Sequence, residues 1–493
     1  MLVRSSALRR HPAGLIGAPG SPRSPRSFQH LSTLLVFLVS LILIPSEVRA
    51  AQVIDCGGGA YPTRNTALVL RSTDSGSVIR NCVFRDWNAQ IGAVIQIDNA
   101  NDILIENNRF ENIRRSDFRD IHAVNIAQYG QRVTIRNNIF VNVGADGVQM
   151  GDTAASSGGN IRDITITNND FSSTNVDIGE EGVDIKRVHG NVVVADNRFH
   201  GFRPCEANVQ PGCTGSPGAG MVVHAGATGV IIERNRFWDN IYGLTVGAGF
   251  ANIPPREILV RNNFFYDNQR RALQIDTVHS IKLLNNTIIN SGYQHMYVNA
   301  TPSSTDGWCF NRNNLFAGGT APASVCTPQN NRYYADPGAV GFVSLTARDL
   351  HLQQTSPAVD AGQALTTDVP GDIDRQARPY GSAYDVGADE FASNDQPGCQ
   401  TATSTSWKNQ ALPAAQTGSF VVEGELTPPT LGTAGALAVA LGQPAAQNWD
   451  GLAAIVLFDD VDNRIKARNG ASYIDASPPL SYQAATSYHI RMV

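Results

Sequence analysis

The chain has 493 residues, a formal net charge of −5 and only 16% charged residues. Nucleic-acid binders present a basic face, and beyond the N-terminus no Arg/Lys-rich patch occurs, so no nucleic-acid partner is expected. At ~150 residues per domain the length allows two or three domains, although a repetitive chain escapes that count.

Residues 1–50 read as a signal peptide. Arg4, Arg9, Arg10, Arg23 and Arg26 form a basic n-region, Leu34 to Ile44 an apolar run, and Val48-Arg49-Ala50 a small-x-small cleavage site. The mature chain is therefore expected to start at Ala51 and to be secreted or held at the cell surface, in a bacterial periplasm or outside the cell. An uncleaved membrane anchor is the alternative; no other stretch is apolar enough to span a bilayer.

Residues 51–391 are built on a repeated phrase: an aliphatic triplet, a short polar step, an Asn, and an aromatic or aliphatic residue two positions on. It places Asn at 108, 138, 169, 197, 235, 263 and 286, with steps of 30, 31, 28, 38, 28 and 23 residues. A degenerate copy puts Cys82 at the Asn position. One strand and one tight turn per copy, stacked at this period, predict an all-β fold, a right-handed parallel β-helix. Each Asn is expected to take a left-handed backbone and to stack its amide on the next rung. Phe110, Phe140, Phe171, Phe199, Phe237 and Phe265 or Phe264 are expected to form an internal ladder, with no chemistry assigned to either series. Cys56 and Cys82 fall one rung apart and are expected to pair, as are Cys205 with Cys213 and Cys309 with Cys326, each bracketing a loop; Cys399 is then odd.

Aligning the Gly-containing run before each Asn phrase gives outward columns. The first holds His122, Asp146, Glu181, Ala219, Tyr242 and Arg271; the second Asn125, Gln149, Asp184, Val222, Thr245 and Gln274; the third Ala127, Gly151, Lys186, His224, Gly247 and Asp276. Glu180 stands at the bend before Glu181. Asp146, Glu180, Glu181 and Asp184 thus fall on two adjacent rungs, beside Lys186 and His224. Four carboxylates so placed raise one another's pKa unless a positive charge sits among them. Ca2+, with six to eight oxygen ligands, is the expected cofactor, and Gln149 or Asn125 can complete its shell. The alternative is a solvated acidic face neutralised by Lys186 and Arg187.

The runs Ala145-Asp146-Gly147 and Glu180-Glu181-Gly182-Val183-Asp184 resemble the multi-aspartate calcium site of secreted β-helix pectate lyases. That resemblance implies a polysaccharide lyase acting on an acidic, uronate-containing glycan. Two features depart from the pattern: glutamates replace two aspartates, and the rung that carries a lysine base in those enzymes reads Gly218-Ala219-Gly220-Met221-Val222. Lys186, its pKa lowered by the metal, or neutral His224 is left to take the proton α to the uronate carboxylate, with Arg271 or Arg187 as clamp. The insertion from Arg203 reads as a substrate-binding wall.

The segments Asp349 to Gly362, Asp372 to Pro379 and Tyr384 to Phe391 resemble the terminal segment of many secreted bacterial β-helix proteins, where the chain closes the last coil. Residues 392–406 form a polar linker, and 407–493 read as a small C-terminal β-sandwich-like accessory module, expected to be incomplete because Val493 falls in mid-strand. A monomer is expected. Two other functions remain open: a glycoside hydrolase using Asp146, Glu181 and Asp184, and a non-catalytic adhesin or glycan-binding solenoid. The absence of an N-T-D run places the hydrolase second, and the absence of a D-P-H run makes a mannuronan epimerase weaker still.

Overall fold

The computed structural model describes residues 51–392, apart from 64, 88–91, 115–120, 128, 152–159, 175–178, 204–217, 250–251, 300–307 and 323–325, together with 422–426, 435–440, 452–459, 461–469, 472–483 and 488–492. The signal peptide, Cys205 and Cys213, the body of the insertion and most of the linker, with Cys399, lie outside the described residues.

Among the described residues there is no α-helix, and three parallel sheets of twelve, ten and nine strands run side by side from Val53 to Tyr334. Strands of one rung pair with the equivalent strands of the next, in the register set by the repeat: Phe140 lies between Phe110 and Phe171, and Val183 between Val148 and Met221. Alternate residues of each strand point inward, and the Val, Ile, Leu and Phe among them are almost wholly buried. This is a right-handed β-helix.

The Asn phrase performs two jobs with two residues. The residue before each ladder Asn, not the ladder Asn itself, takes the left-handed backbone: Asn107, Asn137, Asn168, Asp196, Arg234, Asn262 and Asn285 all have φ between 49° and 60°. The ladder Asn keeps an ordinary backbone and spends its amide on stacking. Asn138 Nδ2 donates to Asn169 Oδ1 at 3.0 Å, and Asn169 Nδ2 donates to Asn197 Oδ1 at 3.0 Å. The same oxygen accepts the backbone N–H of the preceding ladder Asn, at 2.9 Å for Asn138 on Asn169. Expecting both roles of one residue was wrong because a buried turn has two needs, a positive φ and a polar filler for its unpaired carbonyls. The ladder continues past Asn286 to Asn314 and Asn331. At its other end Cys82 stands in register, its N–H donating to Asn108 Oδ1 at 3.0 Å, and its sulfur is bonded to Cys56. Cys309 and Cys326 are also joined.

Phe84, Phe110, Phe140, Phe171, Phe199, Phe237 and Phe265 stack with ring centroids 4.5 to 5.0 Å apart. Phe265, not Phe264, belongs to the stack; Phe264 points outward and meets His351 of the terminal segment edge-on. This ladder explains the glycines of the neighbouring sheet. A Cβ on Gly147 or Gly182 would come within 2.6 Å of the Phe171 or Phe199 ring, and one on Gly220 or Gly243 within 2.8 Å of Phe237 or Phe265. The glycine of each D-G-V or E-G-V run is therefore dictated by core packing.

The terminal segment does more than close a last coil. Its hairpin strands, Phe342–Ser344 and Asp349–Leu352, cover the outward Phe264, Tyr266, Ile289 and Leu315 of the ten-stranded sheet. The chain then runs back along the Asn turns, with Gly371 O accepting from Asn262 Nδ2 and Arg375 reaching Asp196 at 2.6 Å. The residues of the terminal motif hold this segment together. Arg378 and Glu390 pair at 2.8 Å with neither side chain exposed, and Asp385 accepts the N–H groups of Asp360 and Phe391. The nine-stranded sheet, which carries the polar columns, is a different face.

Near the C-terminus, Val422–Leu426 pairs antiparallel with Tyr488–Met492, and a four-stranded antiparallel sheet joins Gly435–Ala440, Leu452–Phe458, Arg464–Asn469 and Ser472–Ser481. Phe458, Tyr482 and Ile490 form a small core between them, as a β-sandwich requires.

Candidate functional site

The nine-stranded sheet orders the strands Leu68–Leu70, Ala93–Ile97, His122–Ile126, Val148–Met150, Glu181–Lys186, Ala219–His224, Tyr242–Val246, Arg271–Asp276 and Gln294–Asn299. Its register reproduces the columns: Asn125, Gln149, Asp184 and Val222 are successive partners, Glu181 faces Ala219, and Lys186 faces His224. Inward Val124, Val148, Val183 and Met221 fix which way the rest point.

Two groups form on this face. In the first, Asp146, Glu180 and Glu181 each offer an oxygen within 4.8 Å of the others. Asp146 is 1% exposed; its Oδ2 lies 3.1 Å from His122 Nδ1 and 3.3 Å from Gln149 Nε2. Its Oδ1 is buried and meets no N–H donor, and Asn125 Oδ1 is likewise buried without a donor. Burial works against ionising Asp146, yet the His122 imidazole outweighs it and leaves the carboxyl below its usual range. Glu181 goes the other way: burial, then the charges of Asp146 and Asp184, push it well above the usual carboxylate range. His122 is raised, because Asp146 overcomes the effect of burial.

The second group is centred on Asp184, 5% exposed. Its Oδ2 pairs with Lys186 Nζ, and its Oδ1 with His224 Nε2 at 2.9 Å. Burial pushes the Lys186 ammonium down, but Asp184 and Asp146 more than offset this and hold it above its ordinary value. A Cβ on Gly249, whose φ is +60°, would run into the His224 ring, so a glycine is needed beside it.

The structure therefore brings together Asp146, Glu180 and Glu181, and separately Asp184, Lys186 and His224, the two groups sharing the strand Glu181–Lys186. Asp184 is committed to Lys186 and His224 rather than to the other three acids. Arg187, at φ +50°, sits in the turn after the strand and pairs with none of the four carboxylates among the described residues. Arg271 is not beside them: Glu181, Ala219, Tyr242 and Arg271 are successive partners, and three steps of ~4.8 Å place it roughly 14 Å away. His122 had no assigned role from the sequence, although it heads the same column one rung before Asp146, and that position was the available signal. Outside this face, His351, Asp374 and Asp389 also converge, but His351 bridges Asp349 and Asp374, and Asp389 accepts the N–H of Leu352.

The family model for the right-handed β-helix region matches residues 60–175 and 122–307. The chain belongs to this β-helix family. No curated protein sequence matches it. Among solved structures, pectate lyase Pel9A is similar to this β-helix protein at 15% identity with a TM-score of 0.46, covering 70% of this chain and 90% of that one. The A-module of a mannuronan C-5 epimerase from Azotobacter vinelandii is similar at 13% identity and a TM-score of 0.30, over 56% and 75% of the two chains. A tailspike protein of E. coli bacteriophage HK620, in complex with a pentasaccharide, is similar at 13% identity and a TM-score of 0.34, over 56% and 53%. These are likenesses of fold. No helix among the described residues is long and apolar enough to cross a membrane.

Proposed function

We propose that this β-helix protein is a secreted polysaccharide lyase that cleaves an acidic, uronate-containing glycan by β-elimination with the help of calcium. The observation that carries this reading is the carboxylate trio, with Asp146 buried and Glu180 and Glu181 half-buried. Asp146 Oδ1 has no N–H donor, and Glu181 is driven toward its protonated form by burial and by the charges of Asp146 and Asp184. A hard divalent cation would relieve both at once, and three carboxylates, with the Asn125 Oδ1 buried without a donor on the same face, suit its preference for oxygen. Asp146, Glu180 and Glu181 would hold it, and Asp184 would not unless it left Lys186. When bound, such a cation neutralises a substrate carboxylate and acidifies the proton α to it.

The chain's own residues then divide the remaining work. Asp184 fixes the His224 ring through Nε2, as an acid partner orients an imidazole base, and His224 takes the α proton. Lys186, held above its ordinary pKa by its acids, is suited to remain a cation paired with Asp184. The two disulfides fit an oxidising compartment and thus secretion.

A glycoside hydrolase is the second reading. Its support is the opposed pKa shifts of Glu181 and Asp146, a pattern that assigns a general acid and its ionised partner. Incubation with polygalacturonate, alginate and glycosaminoglycans separates the two. A lyase yields the ultraviolet absorbance of an unsaturated uronate and loses it on chelation. Reducing ends without that absorbance would overturn the lyase in favour of the hydrolase, and glycan binding without any product would favour a non-catalytic adhesin.

A further inference from the structure

Several arginines on the outside of the solenoid have a carboxylate partner on a neighbouring rung. Arg80 pairs with Asp55, Arg132 with Asp102, Arg136 with Glu106 and Arg234 with Asp196, each from a neighbouring rung. Arg271 does not. It is partly buried on the nine-stranded sheet, and no carboxylate among the described residues pairs with it. Its Nη1 donates to Gln274 Oε1 at 2.7 Å, and the nearest acid of its own strand, Asp276, instead accepts from Gln274 Nε2 at 2.9 Å. The guanidinium lies over the Tyr297 ring at 4.5 Å and the Tyr293 ring at 5.5 Å. Its Nε, and Oε1 of its register partner Gln294, are buried without hydrogen bonds. Tyr293 is 64% exposed, a large ring that the fold leaves open.

A partly desolvated guanidinium without a counter-charge is costly, and one steadied by two aromatic faces is also pre-oriented. Arginine in this state suits a planar anion, which it can take by charge-assisted hydrogen bonds. An exposed tyrosine beside it offers an apolar face with a polar tip, which suits the mixed surface of a sugar ring. The position adds direction. Arg271 occupies the same column as Glu181, three rungs further on, so an extended polymer lying along this sheet would pass over both.

We propose that Arg271, with Tyr293 and Tyr297, forms a remote sugar subsite that binds the carboxylate of a uronate residue in a polymer whose reacting unit sits at the Asp146–Glu181 cluster. The inference rests on the acidic-glycan reading above and deepens it: the enzyme recognises a charge several sugars away from the bond it cleaves. Arg271 is here a binding residue, too distant to touch the reacting atoms.

The test is calorimetric binding of uronate oligomers by the full chain, using galacturonate and mannuronate–guluronate series from dimer to octamer, with neutral glucan oligomers as controls. Wild-type affinity is expected to rise once the oligomer spans both sites. Arg271→Gln should remove that step, a loss of roughly 10- to 100-fold for long oligomers, as expected for hydrogen bonds to a charged group, and should leave the shortest binders unchanged. Tyr293→Ala, at an exposed position that does not threaten folding, should weaken the same long oligomers. The contribution should also shrink at high salt. Long oligomers that bind Arg271→Gln and Tyr293→Ala as tightly as wild type would overturn the subsite while leaving the catalytic reading intact. If no uronate oligomer binds the wild-type protein, the acidic-glycan reading fails first and the subsite with it.

Discussion

Asp184→Asn separates the roles assigned to the two groups on the nine-stranded sheet. The change is nearly isosteric and removes one charge. Asp184 and Lys186 are both almost fully buried, and Asp184 is the direct partner of the ammonium. Breaking a buried ion pair from one side costs ~3–5 kcal/mol, because the partner is left charged in a poor solvent. Asp146 and Glu181 also favour the Lys186 charge, so a loss of ~3 kcal/mol, the lower end of that range, is expected. Urea denaturation measures it as a shift of midpoint at constant slope. The double variant Asp184→Asn/Lys186→Met should recover much of the loss, since removing both charges leaves no orphan. On the reaction, losing the carboxylate that orients His224 should lower kcat by ~10²–10⁴, the range of a general-base contribution, and the double variant should not restore it. A stable Asp184→Asn protein, or one whose instability Lys186→Met deepens, would refute the reasoning that Asp184 and Lys186 depend on each other. Full activity in Asp184→Asn would remove His224 from the mechanism.

Calcium should raise stability by about 2.7 kcal/mol when present at 100 times its Kd; thermal melts with and without chelator should show this shift, and Asp146→Asn should abolish it. Asn169→Ala leaves the buried Asn138 N–H and two backbone carbonyls without their amide partner, so at ~1–3 kcal/mol per orphaned group a loss of at least ~3 kcal/mol is expected by denaturation; a loss under ~1 kcal/mol would show that the ladder adds little. Phe171→Ala, in the middle of the ring stack, should cost ~3–5 kcal/mol. In the terminal segment, burial works against the His351 cation but Asp349 and Asp374 outweigh it, holding its pKa well above the ordinary value. The stabilisation is therefore fully present below the unfolded pKa of ~6.5 and fades as pH rises through the folded value. The opening free energy of 349–391, from hydrogen exchange corrected for the intrinsic rate at each pH, should fall as pH rises through the folded value, and His351→Gln should remove this pH dependence.

Much of this molecule was legible in its sequence because a solenoid makes distant contacts periodic. The interval from Asn108 to Asn138 is the length of one coil, so residues sharing a place in the phrase share a column. The all-β fold, the Phe stack and the outward polar columns followed from that spacing. The splitting of the turn into a left-handed residue and a stacking Asn did not follow, since both positions read as Asn in most copies. Nor did the reason for the glycines: Gly147 and Gly182 border the acidic residues in sequence, yet they are there because Phe171 and Phe199 fill the space a Cβ would need.

At the site, the sequence by itself determined which acids and bases share a face, because parallel register is set by the buried column of Val124, Val148, Val183 and Met221. Only the tertiary structure decided how those residues pair. Side-chain reach and burial assign Lys186 and His224 to Asp184, give Asp146 to His122, and leave Asp146, Glu180 and Glu181 as a trio. Register is one-dimensional and survives in a linear text. Ion pairing is a competition among neighbours in three dimensions, settled by a few ångströms that no spacing records.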